Sequence, residues 1–184
     1  MRILWIAATA GNYQSPHSCG GGYNGGGWIS SMQNELAKRD DIKLGIAFCR
    51  NGEPAKVEQD GVVYYPIPHH TKSKKDKILD LFKLNDATRD EVLWPYYEHK
   101  FKEVIEDFKP DVIHIFGSEL YHGLAARVAG NIPMVLHIQG LLSLYIYIFL
   151  PPGISAWEFY MSGKGLKGKY LNYQYLAYWH RSVH

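Results

Sequence analysis

The chain has 184 residues, enough for one domain with a substantial core. Its 20 basic and 18 acidic side chains leave a formal charge of +2, which gives no case for a nucleic-acid binder, and 46% hydrophobic with 21% charged residues is the balance of an ordinary folded protein. The two cysteines, Cys19 and Cys49, follow neither metal-ligand spacing nor a secreted-type disulfide framework, so a reducing, cytoplasmic compartment is expected.

Residues 2 to 8 form an apolar run of the kind that a parallel sheet buries on both faces. The run leads into a glycine loop instead of a cleavage-like site, so it reads as a first strand and not as a signal peptide. Six of the eight residues from Gly20 to Gly27 are glycine. One or two satisfy a turn, and each further glycine adds unfolded-state entropy, so a ligand approaching the backbone closely is the reading with a mechanism. Trp28, Ile29, Met32 and Leu36 then recur at helical spacing, with Gln33, Glu35, Lys38 and Arg39 on the other side. Ile42 to Cys49 alternates as a second strand, and Val62 to Ile67 forms another that Pro66 and Pro68 are expected to interrupt.

From His69 to about Asp90 the pattern fails, and a Lys-rich, mobile excursion is expected around a short amphipathic piece from Ile78 to Leu84. Its charge run reads as solvated, with an anion-binding patch as the alternative. Leu93, Tyr97, Phe101, Val104, Ile105 and Phe108 lie on one face of a helix that Lys109-Pro110 stops and Pro95 helps to begin. Asp111 to Gly117 is a strand, residues 120 to 129 a short Ala-rich helix, and Met134 to Gly140 a further strand. Strands alternating with helices predict an α/β fold with a doubly wound, mostly parallel, Rossmann-like sheet. Leu141 to Leu150 is about half the length of a membrane span and ends at Pro151-Pro152. Leu171, Tyr175 and Tyr178 mark a last helix, which reaches His184 without a capping glycine, so the expected domain boundary lies beyond the chain.

In such sheets ligands bind outside the carboxyl ends of the strands, where the glycine loop, Gly117-Ser118-Glu119 and His137 to Gly140 all fall. The loop fits neither a dinucleotide fingerprint nor a phosphate P-loop, since about a dozen residues separate strand from helix and no lysine is in register. The amides of Gly26, Gly27 and Trp28 at the helix start remain candidates for a diphosphate, to which the helix dipole contributes about 0.3–2 kcal/mol; a plain surface loop is the alternative. His137 is the catalytic or binding candidate, against the reading of a satisfied core histidine. Glu119 and Gln139 are cleft candidates, and Glu119 also reads as a helix N-terminal acid. His114 lies inside its strand and reads as structural. His180 and His184 share i, i+4 spacing but lack a third ligand, so no metal is expected. Cys19 lacks an evident base, and no serine has a nucleophile-elbow sequence around it.

Four segments in this order and spacing are Met1-Arg2-Ile3-Leu4, Gly25-Gly26-Gly27-Trp28, Pro110-Asp111-Val112-Ile113-His114 and Ile132-Pro133-Met134-Val135-Leu136-His137. Over about the first 140 residues the chain thereby resembles the N-terminal domain of family-4 glycosyltransferases, retaining enzymes with the GT-B fold. The resemblance implies two facing Rossmann-like domains, an acceptor side carried by residues 1–184 and a donor domain in cis that this chain does not contain. It further implies that Gly26 and Gly27 meet the diphosphate of a nucleotide-sugar co-substrate, that His137 lies near the transferred sugar, and that no metal cofactor is needed. Ile138 and Gln139 depart from the small polar or acidic residues that usually follow the family's histidine, and the Leu141 to Leu150 run is unusually apolar.

The first reading is therefore the N-terminal half of a hexosyltransferase moving sugar from a nucleotide diphosphate to a saccharide or lipid-linked acceptor, inactive without the closing of its second domain. Lys164, Lys167, Lys169 and the Tyr170 to Tyr178 cluster suit a peripheral contact at the inner membrane face. The competing readings are a stand-alone sugar- or nucleotide-binding module without transfer, and a Rossmann-type oxidoreductase, against which the glycine register argues.

Overall fold

A computed structural model of the chain describes residues 1–15, 27–82, 87–117, 121–138 and 148–181. The expectations placed on Cys19, Gly26, Glu119, Gln139 and His184 lie outside the described residues. The chain forms two compact units, one of Met1–His70 with Trp94–Gln139, the other of Thr71–Leu93 with Gly140–His184.

The first unit is α/β, with a six-stranded, mostly parallel sheet in the order β3-β4-β2-β1-β5-β6. Its strands are β1 Arg2–Ile6, β2 Lys43–Cys49, β3 Val57–Gln59, β4 Val62–Ile67, β5 Val112–Phe116 and β6 Met134–His137. Its helices are α1 Gly27–Leu36, between β1 and β2, and α3 Trp94–Phe108, before β5. From β1 the chain builds outward through β2 and β4, then returns to pair β5 on the opposite edge of β1, so the strand order reverses there. Ile6 of β1 faces Ala47 on one side and Ile115 on the other.

β2 looks alternating in sequence but is buried from Leu44 to Phe48, because neighbours cover it on both sides. Gly45 makes room for α3: a Cβ there would lie 2.9 Å from the Phe108 ring. β4 runs through Pro66, which pairs with Phe48, instead of stopping before it. The missing donor is tolerated because β3, the antiparallel neighbour, reaches only as far as Tyr64. β3 itself was not foreseen, although Asp60-Gly61 between Gln59 and Val62 is a hairpin signal; both residues have positive φ, 51° and 76°. α3 buries Tyr97, Phe101, Val104, Ile105 and Phe108, the face its periodicity predicts. The Ala-rich segment is a 3-10 helix, Tyr121–Arg127. β6 is exposed at all four residues.

In the second unit α2 spans Lys74–Asp80, opened by a capping box between Ser73 and Asp76, and a 3-10 helix spans Ala87–Leu93. The lysine run is not uniformly solvated. Lys72 is 8% exposed and its Nζ lies 2.7 Å from Asp80 Oδ2 and 2.6 Å from Asp90 Oδ1. The unit also holds α4 Ala156–Met161 and α5 Gly165–Arg181. α4 was not foreseen, although Ser155-x-x-Glu158 is a capping box and forms one. Among the described residues no helix is long and apolar enough to cross a membrane.

Candidate functional site

The carboxyl end of β1 turns sharply at Gly11, whose φ is +58°, and Tyr13 N–H donates to Ala10 O at 3.1 Å. Only glycine fits here, because a Cβ would lie 2.3 Å from Gln33 Oε1 in addition to the strained φ. Gln33 comes from α1, is buried, and works at both ends: Asn12 N–H donates to its Oε1 at 3.0 Å, and its Nε2 donates to Tyr64 Oη at 2.6 Å. This corrects its placement on the polar side of α1. A buried polar side chain is stable when every partner is supplied, and here the β1 turn and β4 supply them.

Glu53, just beyond the end of β2, is the second anchor, with a side chain 4% exposed. Tyr13 Oη donates to its Oε2 at 2.8 Å, Ser15 Oγ donates to Oε1, and Arg50 Nε lies 3.4 Å from Oε1. The Arg50 guanidinium also sits 5.7 Å from the centre of the Tyr13 ring. The last described residues before the glycine loop are thus held by a buried carboxylate at the carboxyl end of the neighbouring strand.

The other end of that loop enters α1 at Gly27. The first amides of a helix have no partner within it and point outward with the positive end of the dipole. No acidic residue lies in the first turn of α1 to compete for them. Trp28 stands 42% exposed at this end, not folded into the core as its helical spacing suggested. Its indole meets the Phe116 ring at 5.3 Å and the His137 ring at 5.1 Å. Phe116 and His137 are register partners across β5 and β6, and His114 lies two residues earlier on the same face. His114 stacks on Phe116 at 4.0 Å and lies 6.0 Å from His137, with the planes 17° apart. Trp5 closes the row from β1, edge-on to both His114 and Phe116.

This face is aromatic at its base and polar at its rim. His114 Nε2 is buried without a hydrogen-bond partner among the described residues. Burial, and then the neighbouring His137, hold its imidazole below the usual histidine range, so it is neutral near pH 7. Thr9 Oγ1, just past β1, is likewise buried and without a partner among the described residues. Burial, and then the bond to Glu53, push the Tyr13 phenol up to about 12. Burial pushes the Cys49 thiol up to about 11, which makes it a poor nucleophile.

Of the residues named from sequence, Gly27, Trp28 and His137 are brought together at the carboxyl ends of β5 and β6; Gly26, Glu119 and Gln139 lie outside the described residues. His114 belongs to the same ring stack, with its Nε2 buried and without a hydrogen-bond partner among the described residues. Tyr13, Gln33 and Glu53 were missed. Gln33 is four residues after Ile29 on α1, but its polar side chain reads as solvent-facing, and Glu53 sits in a turn, where a carboxylate is ordinary. Asn12-Tyr13 directly after Gly11 was the available signal, since a turn that must place an aromatic ring inward needs polar anchors. Among the described residues there is no group of three or more His, Cys, Asp or Glu side chains placed to hold a metal ion. Comparison with protein-family models gives no match for this chain, and neither does comparison with curated proteins.

Proposed function

We propose that the chain is the acceptor-side half of a nucleotide-sugar-dependent retaining glycosyltransferase, its sheet the doubly wound Rossmann-like half of a GT-B fold. The carrying observation is the meeting of His137 with Trp28 at the start of α1, beside the edge of β1 where strand order reverses. Such a reversal point is where open α/β sheets bind nucleotide-like ligands. In this reading the α1 amides from Gly27 onward hold the diphosphate of the donor, Trp28 offers an aromatic surface to the sugar, and His137 lies against the transferred hexose. Gly26, Glu119 and Gln139 complete the cleft, and the acceptor is a saccharide or a lipid-linked sugar. No metal is assigned a part. Transfer requires a donor-holding domain to close over this one, because the reacting groups must be brought within bonding range and water excluded.

The test is turnover of a panel of uridine and guanosine diphosphate sugars by the full protein, with His137→Ala alongside. The expected result is sugar transfer that falls at least about 100-fold in the variant, the scale of removing one positioned transition-state contact. Wild-type turnover by His137→Ala removes the site assignment. Tight nucleotide-sugar binding without transfer by the full protein leaves a binding module instead.

A further inference from the structure

We propose that the α4–α5 pair is a docking face for anionic lipid membranes. The inference does not rest on the glycosyltransferase reading, since it is drawn from the second unit alone.

α4 and α5 meet at a close corner. A Cβ on Gly163 would lie 2.4 Å from the carbonyl carbon of Gly168, so the two backbones touch where the Gly/Lys stretch turns. Between the helices is an open cavity of about 670 Å³ lined by Trp157 and Tyr160 of α4 and by Leu166, Lys169, Tyr170 and Tyr173 of α5. The α5 members recur at spacings of three and four, which puts them on one face of the helix. The apolar groups there stay in water: Leu166 is 90% exposed and Trp157 66%. A second stripe, Lys167, Leu171, Tyr175 and Tyr178, is exposed along the adjoining side of α5. Burying large apolar side chains is worth far more than scattered exposure allows, so a contiguous apolar groove of this kind marks an interaction face.

Charge identifies the occupant. Residues 148–181 contain one acidic side chain, Glu158, against Lys164, Lys167, Lys169 and Arg181. Glu158 is spent on its own helix, where Ser155 N–H and Oγ–H both donate to its Oε2 at 2.7 Å. Of these cations Lys169 lines the groove and Lys167 lies on the adjoining stripe, with no carboxylate of α4 or α5 free to neutralise them. A second copy of the chain would bring the same lysines face to face, which like charge opposes. Tyrosine and tryptophan carry an apolar ring with a polar edge and settle at the headgroup level of a bilayer, while lysine stems lie along apolar surface and reach the phosphates. The aromatic groove and the lysines of the helix pair together match an interfacial element lying flat on an anionic leaflet.

The experiment is co-sedimentation of the full chain with phosphatidylcholine vesicles, with and without about 30% of the anionic lipid phosphatidylglycerol, at low and high salt. Association with the phosphatidylglycerol vesicles alone, weakened by salt, is the expected result. The combined variant Lys164→Gln, Lys167→Gln, Lys169→Gln should weaken it about 100-fold, since each lysine near the surface contributes roughly a factor of five. Trp157→Ser with Leu166→Ser should weaken it with the far-ultraviolet circular dichroism unchanged, both side chains being exposed. No association at low salt overturns the proposal. Equal association with pure phosphatidylcholine overturns it too, because the lysines then play no part. Lipid-free dimerisation abolished by Leu166→Ser assigns the face to a second copy, and binding of a soluble acidic polypeptide as tight as that of the vesicles assigns it to a protein partner; either result overturns the lipid assignment.

Discussion

The imidazole of His137 lies 5.1 Å from the indole of Trp28, centre to centre, and each ring also meets Phe116. One belongs to the last strand of the sheet and the other to the first turn of its first helix, so the contact ties the rim of β6 to the end of the glycine loop. Behind them His114 stacks parallel to His137 and is kept neutral by burial and by that neighbour.

His114 is depressed by burial first and by His137 second. By nuclear magnetic resonance, the His114 ring protons should show a midpoint below the ordinary histidine value of about 6.5. His137→Asn should move that midpoint upward, because the second-largest cause of the depression is removed while burial remains. A depressed folded value means that the unfolded chain binds the proton first as pH falls. The contribution of His114 to stability is therefore intact above about pH 6.5 and is lost as pH falls through the folded midpoint. A His114 midpoint unmoved by His137→Asn would show that the rings are not electrostatically coupled.

Glu53 should be a stability residue out of proportion to its place in a turn. Glu53→Ala leaves the Tyr13 hydroxyl, in a residue only 2% exposed, without its acceptor. The expected loss is about 1–3 kcal/mol in denaturant unfolding. Tyr13→Phe in the Glu53→Ala background should cost little more, and a double-mutant cycle measures the coupling. Additive losses would separate the two residues.

The same phenol sets an alkaline limit. Its folded value is raised to about 12 from the ordinary 10.0. The raised value contributes stability that is present below about pH 10 and lost as pH rises through about 12. Tyr13→Phe should remove this part of the alkaline dependence, as read from unfolding midpoints across that window.

Gly45→Ala should lose about 1–3 kcal/mol by overpacking, since the new methyl meets the Phe108 ring at 2.9 Å. Gly45→Ala with Phe108→Leu should recover part of the loss, because the smaller side chain vacates the clash. A glycine substitution tolerated without cost would mean that α3 shifts freely over β2.

In the second unit, Lys72→Met removes the ammonium group that lies 2.7 Å from the buried Asp80 carboxylate, a loss of about 3–5 kcal/mol for a broken buried pair. Amide hydrogen exchange should report it as early opening of α2. Lys72→Met with Asp80→Leu should restore much of the protection, since replacing both charges removes the desolvation cost together with the attraction.

Length, the order of the strands and helices apart from β3 and α4, and the inward face of α3 were determined by the sequence alone. Hydrophobic periodicity is a local property, and Tyr97, Phe101, Val104, Ile105 and Phe108 display it without reference to anything distant. The choice of Trp28 and His137 was also available there, from helix start and strand end. Only the tertiary structure decided that these two rings touch, that Gln33 turns inward, that Glu53 anchors Tyr13, and that β4 passes through Pro66. Each depends on which strands become neighbours and in what register. A buried glutamine or carboxylate is recognisable only once its partners are known, because the free energy that holds it inside belongs to hydrogen bonds with residues far along the chain. The exposed apolar side chains of α4 and α5 make the converse case: their composition was plain in the sequence, but only folding showed that Trp157, Tyr160, Leu166 and Lys169 share one open groove.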